Sequence, residues 1–429
     1  MKTSRELCLT ALLRMEKDEA YSNIVLNALL EKCALGREEK SFATRIFYGV
    51  LEKKLILDFN ISQLLSKPIH KLDTEILAIL RMGMYQLLFM DSVPDSAAVN
   101  ESVKLCYFTK KISAKGLVNA ILRNKLRENK EIKIPKALNE ALSCDKSIAK
   151  LLCEQYSEDE AKEIFAAFSS DTKQYIKINA KKISFSELAN LLKEKGIEIV
   201  EHPTISNCAE VISSGDVAHT DEFKNGLFFI QDLASQICVD SLFAQNAERV
   251  LDVCAAPGSK TFSISISAPD SAEIVSCDVS ENRVSLIEKG RERLGLSNVK
   301  ATVNDATVFN ERLGQFDRVL CDVPCSGLGV IGKKPEIRYK KIDPDALFSI
   351  QYKILETSSR YLKSGGILVY STCTLNKREN EAVIEKFLSE HSDFAPHPLK
   401  ISEQNDYKIT LLPHKDNCDG FFISAITKI

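Results

Sequence analysis

Two cysteines close two apolar runs, Cys325 in LCDVPCSG and Cys373 in LVYSTCT. Each run reads as a β-strand that feeds a turn bearing a thiol. In open α/β sheets the chemistry lies just beyond the carboxyl ends of the strands. A thiol there is placed to act as a nucleophile, and a second thiol suggests a second step. The turns around them decide which electrophile they meet.

One earlier strand ends in RVLDVCAAPGSKT. An apolar strand, the acidic Asp252, a tight turn at Gly258 and a helix start make a site for a ligand with polar groups. The order Gly-Ser-Lys, with no earlier glycine, excludes a Walker P-loop, and the single glycine fails the dinucleotide fingerprint. The next strand ends at Asp278, 20 residues after Gly258. A carboxylate at that place in a βαβ unit accepts hydrogen bonds from ribose hydroxyls. A third strand ends at Asn304-Asp305, placed to meet an adenine amine. Any one of these aspartates could be a helix N-cap, but their succession favours a ligand. An adenosine held without a phosphate grip points to S-adenosylmethionine.

A fourth strand supplies Asp322-Val-Pro-Cys325. Amino-group methyltransferases carry Asp or Asn, two prolines and an aromatic at this place, so a thiol there argues for a covalent mechanism. The target is then a carbon that is normally unreactive, and C5 of a pyrimidine is one. A thiolate adding at C6 makes C5 electron-rich, and C5 can attack a sulfonium methyl. A base later removes the C5 proton and the thiol is eliminated. A carboxylic acid near N3 of cytosine stabilises the charge that develops on the ring, and Asp322 is the candidate. On these residues alone either cysteine could attack, with Cys325 the first choice.

The elements that must position these groups follow from periodicity. From about residue 231 the chain alternates strand and helix, with strands RVLDV, EIVSCDV, VKATVND, FDRVLCDV and GGILVYST. Such alternation implies a parallel, doubly wound α/β sheet. The closing GFFISAITK reads as a strand added at its edge. FSISISA, residues 262–268, has period-two spacing, yet a helix is expected because one must follow the first turn. Residues 1–130 show apolar residues at helical spacing throughout, as in Ile76, Leu77, Leu80, Met84 and Leu87, and read as an all-α domain. Asp73 is placed to N-cap that last helix and Pro94 to close it. NKEIKIPKALNE marks a linker. Residues 140–230 mix helices with the short strands QYIKINA, IEIVE and GLFFIQD, a small α+β domain, and residues 231–429 form the doubly wound one.

Composition narrows the setting. The 429 residues are 45% hydrophobic and 27% charged, as in globular domains. No run of 18 apolar residues suggests a membrane helix, and the charged N-terminus does not read as a signal peptide, so a cytoplasmic location is expected. The 13 cysteines are odd in number and none forms C-x-x-C. Neither a disulfide framework nor a zinc site is therefore expected. Net charge is −2, but residues 1–130 hold 21 Lys+Arg against 15 Asp+Glu. That local excess of +6 suits an anionic partner, or simply a solvated helical surface.

LDVCAAPGSKT, DVPCSGLG, STCTLNKREN and DGFF together resemble the RNA cytosine-C5 methyltransferases of the NOL1/NOP2/Sun family, over residues 140–429. GMYQLLFMDSVPDSAAVNESV and KGLVNAILRNKL resemble the NusB-like RNA-binding domain. The resemblance implies an all-α NusB-like N-terminal domain, a small α+β RNA-binding domain and a Rossmann-like methyltransferase domain. It implies methylation of a cytidine C5 in 16S ribosomal RNA with S-adenosylmethionine as donor, and a monomer is expected. By resemblance Cys373 is the nucleophile and Cys325 assists release of the product, which reverses the order the residues alone suggest. Cys254, Ala255, Ala256, Pro257, Gly258, Ser259, Lys260, Asp278, Asp305 and Asp322 match cofactor-binding positions, and Lys260 and Arg283 lie where cofactor or RNA is touched. Lys177 stands where the family often has arginine, which keeps the charge and loses the bidentate fork.

The enzyme must reach both faces of its base, so a flipped nucleotide is expected. Lys333, Lys334, Arg338, Lys340 and Lys341 follow the Pro-Cys turn and are candidates for phosphate contacts. Two other readings compete: a non-catalytic RNA-binding assembly factor, and the same chemistry on another RNA such as transfer RNA. Methyl transfer to unmodified 16S RNA would favour the enzyme on 16S RNA, and failure of transfer with RNA binding retained would favour the assembly factor.

Overall fold

The computed structural model describes residues 2–17, 21–170, 173–212, 216–401 and 406–429. Contacts divide the chain into two units: Met1–Phe165 with Lys333–Ile342, and Ala166–Gly332 with Asp343–Ile429. Composition had grouped 140–165 with the α+β stretch, whereas contacts group it with the N-terminal helices.

The second unit holds two sheets. β1 (Gln174–Ile178), β2 (Ile199–Glu201), β3 (Cys208–Val211) and β4 (Phe228–Ile230) form an antiparallel sheet in the order β2-β3-β1-β4. The eight-stranded sheet comprises β5 (Arg249–Asp252), β6 (Glu273–Asp278), β7 (Val299–Val303), β8 (Phe316–Asp322), β9 (Leu362–Thr372), β10 (Phe394–Pro396), β11 (Lys408–Leu411) and β12 (Phe421–Lys428). Its order is β10-β12-β9-β8-β5-β6-β7, with β11 paired to β12. β5 to β9 are mutually parallel. The chain leaves β5 toward β6 and β7, then returns to β8 on the other side of β5. This reversal creates the crevice where doubly wound sheets bind ligands.

Side chains on opposite faces of β5 feed separate cores, Val250 one and Leu251 the other. Helices Ser259–Ser267 and Glu281–Leu294 cover the first face through Phe262, Ile264 and Ile287. Helices Phe348–Ser359 and Glu381–Glu390 cover the second through Leu355, Ile384 and Phe387. FSISISA lies in helix Ser259–Ser267, as expected. Its period-two pattern has a simple cause: Phe262 to Ile266 are all buried, serines included. GFFISAITK departs from expectation. β12 is not at the edge but inserts antiparallel between β9 and β10, because Phe394–Pro396 adds an outer strand that no long apolar run announces.

The first unit packs helices around one apolar cluster that includes Leu9, Phe47, Ile79, Met84 and Leu122. Helix Ser4–Met15 opens with a capping box between Thr3 and Glu6. Arg81 is buried in this unit and grips both carboxylate oxygens of Asp58 at 2.7 Å, with Glu16 at 3.0 Å. Asp73 sits at the cap of Thr74–Phe89, but its side chain makes no capping bond and takes the Lys111 ammonium at 2.7 Å instead. Pro94 caps the next helix, Asp95–Phe108, rather than closing this one.

The segment Lys333–Ile342 corrects another expectation. Arg338 is 2% exposed, stacks 5.0 Å from the Phe165 ring centroid and donates to the Leu142 carbonyl at 3.1 Å. It is therefore a core side chain and cannot hold phosphate. Lys334 and Lys340 lie over the Tyr21 ring. The Tyr339 hydroxyl donates to the Leu51 carbonyl at 2.6 Å and lies 2.9 Å from Ser143 Oγ. Tyr339→Phe leaves both groups short of a partner. It is expected to cost about 1–3 kcal/mol, read as a lower urea midpoint by circular dichroism. An unchanged midpoint would show the hydroxyl to be dispensable.

Among the described residues no helix is long and apolar enough to cross a membrane, and no group of three His, Cys, Asp or Glu could hold a metal ion.

Candidate active site

β8 and β9 run side by side with Asp322 opposite Ser371. The register delivers an acid and, two residues past Ser371, a thiol to the same edge of the sheet. The Ser371 hydroxyl donates to Asp322 Oδ1 at 2.9 Å. Lys260 reaches in from the first turn of helix Ser259–Ser267 and meets Asp322 Oδ2 at 2.7 Å. Its ammonium also lies 5.0 Å from the Phe421 ring centroid. Burial alone would lower the Lys260 pKa, but the adjacent Asp322 outweighs it and holds the ammonium charged. Cys373 belongs to the same field, since a thiolate there also favours the charged Lys260.

Beyond Asp322 the chain turns so that Cys325 Sγ lies 3.2 Å from Cys373 Sγ. The two thiols are thus one chemical unit. Their surroundings differ. The hydrogen bond to Cys373, then burial and the nearby Glu379 carboxylate, push the Cys325 thiol well above its usual range. Cys325 therefore resists ionisation, and a thiolate at Cys373 would lie within the field of the Lys260 ammonium. The two loops are locked by backbone bonds: Gly329 donates to the Cys373 carbonyl at 3.0 Å, and Gly420 to the Gly329 carbonyl at 2.9 Å. A Cβ on Gly329 would lie 1.7 Å from the Gly420 oxygen. This close approach is why SGLG and DGFF both need glycine there.

The turn Cys254–Lys260 lies at the carboxyl end of β5. The Ala255 amide donates to the Cys277 carbonyl at 2.8 Å, and the Ala256 amide to Asp278 Oδ2 at 3.2 Å. Pro257 is exposed at the tip. Gly258 has φ +111°, and a Cβ there would press on the Phe262 ring at 2.4 Å. The Ser259 carbonyl accepts from Gln231 Nε2 at 3.1 Å. Burial raises the Cys254 thiol well above its usual range. Arg283 bonds the Ala256 carbonyl at 3.0 Å and lies 3.3 Å from Asp278. The turn, Asp278 and Arg283 thus form one cluster, and Lys260 joins it to Asp322. Asp305 stands apart: its carboxylate ties its own turn through Thr307 N and Oγ1. It nevertheless lines a cleft with Asn304, Val279, Val303 and Val308. These valines are exposed by 63, 52 and 59%, an apolar rim beside Asp278.

Asp252 does not face this cleft. It is fully buried and accepts from Thr261 Oγ1 at 2.7 Å. Burial raises its pKa to about 7, against about 3.9 unfolded. The folded state then holds the extra proton between those values. Stability from this group is full below the unfolded pKa and lost as pH rises through the folded one. Asp252→Asn should therefore gain melting temperature relative to the parent as pH rises from 5 to 8. A gap that does not move with pH would place the titration elsewhere.

Reading residues singly missed Ser371, Phe421 and Glu379. Glu379 sits in the charged run NKREN, yet it is 2% exposed.

A doubly wound sheet with a nucleotide-type turn after its first strand, and acid, amine and thiols at the neighbouring strand ends, defines a Rossmann-like methyltransferase. The model of the family described as 16S rRNA methyltransferase RsmB/F matches residues 239–427, and that of the NusB family matches residues 2–127. A Bacillus subtilis (strain 168) protein, described as a probable ribosomal RNA small subunit methyltransferase B, is 34% identical over 445 residues, covering 100% of this chain and 99% of that protein. The crystal structure of PH0851 superposes with TM-score 0.82 at 24% identity, over 98% of both chains. NSun6 from Pyrococcus horikoshii, solved with SFG, superposes with TM-score 0.60 at 21% identity, over 66% of this chain and 98% of that one. The chain belongs to the RsmB/F family of 16S rRNA methyltransferases and carries a NusB domain at its N-terminus.

Proposed function

We propose that this protein transfers a methyl group from S-adenosylmethionine to C5 of a cytidine in 16S ribosomal RNA, through a covalent bond between Cys373 and C6. The observation that carries the reading is the pair of thiols 3.2 Å apart beside the Lys260–Asp322 ion pair. A single structural cysteine needs no such surroundings.

The field around the pair supports the order of attack. Cys373 faces an ammonium, which favours its thiolate. Cys325 lies near the Glu379 carboxylate and shares a hydrogen bond with Cys373, and both favour its thiol. The thiolate is the nucleophile, so Cys373 adds to C6. In its protonated form Asp322 then donates to the N3 edge of the ring and stabilises the negative charge that builds there. After methyl transfer the C5 proton leaves to a base. Its electron pair restores the C5–C6 double bond, and the Cys373 thiolate departs with assistance from Cys325.

The residues present fit an adenosine-bearing donor. Asp278 offers a carboxylate for the ribose hydroxyls. The exposed Val279, Val303 and Val308 offer an apolar surface for a flat base, with Asp305 at its rim. The turn 254–260, with Arg283 behind it, shapes the remaining wall. S-adenosylmethionine would supply the electrophilic methyl. The excess of basic residues over 1–130 suits the NusB domain to an RNA contact.

The direct test offers tritiated S-adenosylmethionine with unmodified 16S RNA and maps the product by bisulfite sequencing. Label at C5 of one cytidine is expected. Label on another atom, transfer only to transfer RNA, or RNA binding without transfer would each overturn the proposal.

A further inference from the structure

We infer that Glu379 is a positioning residue for Cys325: its carboxylate fastens the Pro-Cys loop and so holds the second thiol against the first. This rests on the reaction proposed above.

The geometry is that of a clamp. Glu379 Oε2 accepts from the Ser326 amide at 2.9 Å, and Oε1 accepts from the Ser326 hydroxyl at 2.5 Å. Both bonds fall on the residue next to Cys325. Gln351 Nε2 donates to Glu379 Oε2 at 2.9 Å and also to the Pro324 carbonyl at 3.0 Å, the residue on the other side of Cys325. Asn376 Nδ2 donates to Oε1 at 2.9 Å. A buried carboxylate with these neutral donors can only accept, and it organises every group that points at it.

Cys373 does not depend on this carboxylate in the same way. It follows the eleven-residue strand β9, and its own carbonyl is held by the Gly329 amide. The neighbouring Thr374 carbonyl takes Asn380 Nδ2 at 2.9 Å. The Ser326 hydroxyl, 2.7 Å from Thr374 Oγ1, adds a side-chain link between the two loops to the Gly329–Cys373 backbone bond. Loosening Glu379 therefore frees the Cys325 loop first and leaves the nucleophile on its strand. The charge of Glu379 acts in the same direction, since it helps Cys325 retain its proton.

The chemical consequence is specific. Bond formation to C6 needs Cys373, and collapse of the adduct needs Cys325 in place. Glu379→Gln puts an amide donor where two donors already converge, so at least one of the four bonds to this carboxylate must open. The full-length protein is incubated with 16S RNA and S-adenosylmethionine, and the covalent adduct is followed on denaturing gels beside cofactor affinity by calorimetry. Glu379→Gln should form the adduct and release it slowly, with turnover down about tenfold to a hundredfold and unchanged cofactor affinity. Ser326→Ala removes only the hydroxyl arm, should accumulate adduct to a smaller extent, and keeps the test open if Glu379→Gln fails to fold. Cys325→Ala is the reference for a trapped adduct. If that reference accumulates adduct while Glu379→Gln and Ser326→Ala release it at the parent rate, the clamp is overturned and the reaction stands. Loss of melting temperature, cofactor affinity and adduct formation together, without accumulation, overturns it as well. If Cys325→Ala forms no adduct, the reaction scheme itself falls.

Discussion

Replacing Cys373 with alanine is expected to abolish methyl transfer and the covalent RNA adduct together, a loss of about 10⁴-fold or more. Cys325→Ala should do the opposite to the adduct: it forms and persists through a denaturing gel. The asymmetry follows from what each thiol faces. In the proposed reaction Cys373 attacks and Cys325 serves only release, so deleting Cys325 leaves the attacking sulfur in place. Deleting Cys373 leaves a thiol that Glu379 and burial keep protonated. An adduct in Cys373→Ala and none in Cys325→Ala would exchange the two roles. Full activity in both variants would end the covalent mechanism. Cofactor affinity measured alongside separates either result from a collapsed site.

The β5, β6 and β8 strands were legible as short, largely apolar runs ending in Asp, as buried parallel strands do, and β9 through its apolar stretch ILVY. The motifs that join them were legible for the same reason, since a turn at a strand end has room for few residue types. Contacts that depend on distant partners were not. β12 looks like an edge strand until Phe394–Pro396 is known to pair beyond it. β3 is four residues long, CAEV, too short to show its alternation, yet it lies inside its sheet. Arg338 reads as a surface cation because nothing nearby in sequence reveals that Phe165 and the Leu142 carbonyl will enclose it. Glu379 is the same case with the opposite charge. A charged residue is buried only when its partners come from elsewhere in the chain, and Ser326 and Gln351 are 53 and 28 residues away. The order of the two thiols belongs here too. The residues read without the family put Cys325 first as the attacker, the resemblance reverses that order, and the placement of Lys260 and Glu379 is the physical argument offered for the proposed one.

Asp322→Asn is expected to lower turnover by about 10²–10³-fold, the usual loss when a group that stabilises developing charge is removed. The carboxylate now holds Lys260 at 2.7 Å and Ser371 Oγ at 2.9 Å. Asparagine can keep the Lys260 contact through its oxygen and donate its amide to the Ser371 hydroxyl, but it carries no charge. Two explanations for the loss then give opposite signs at the thiol. If Asp322 serves the ring, freeing Lys260 of its counter-charge strengthens the positive field at Cys373 and makes its thiolate easier to form. Iodoacetamide alkylation of Cys373, measured in a Cys325→Ala background, should then be as fast as in the parent or faster, and its pH midpoint should move down. If Asp322 merely holds the site together, Lys260 swings away, alkylation slows and its midpoint rises. Methyl transfer falls in both cases, so turnover alone does not discriminate, whereas the thiol titration does. A slowed alkylation that tracks the loss of turnover would remove Asp322 from the chemistry and leave it as a support for Lys260.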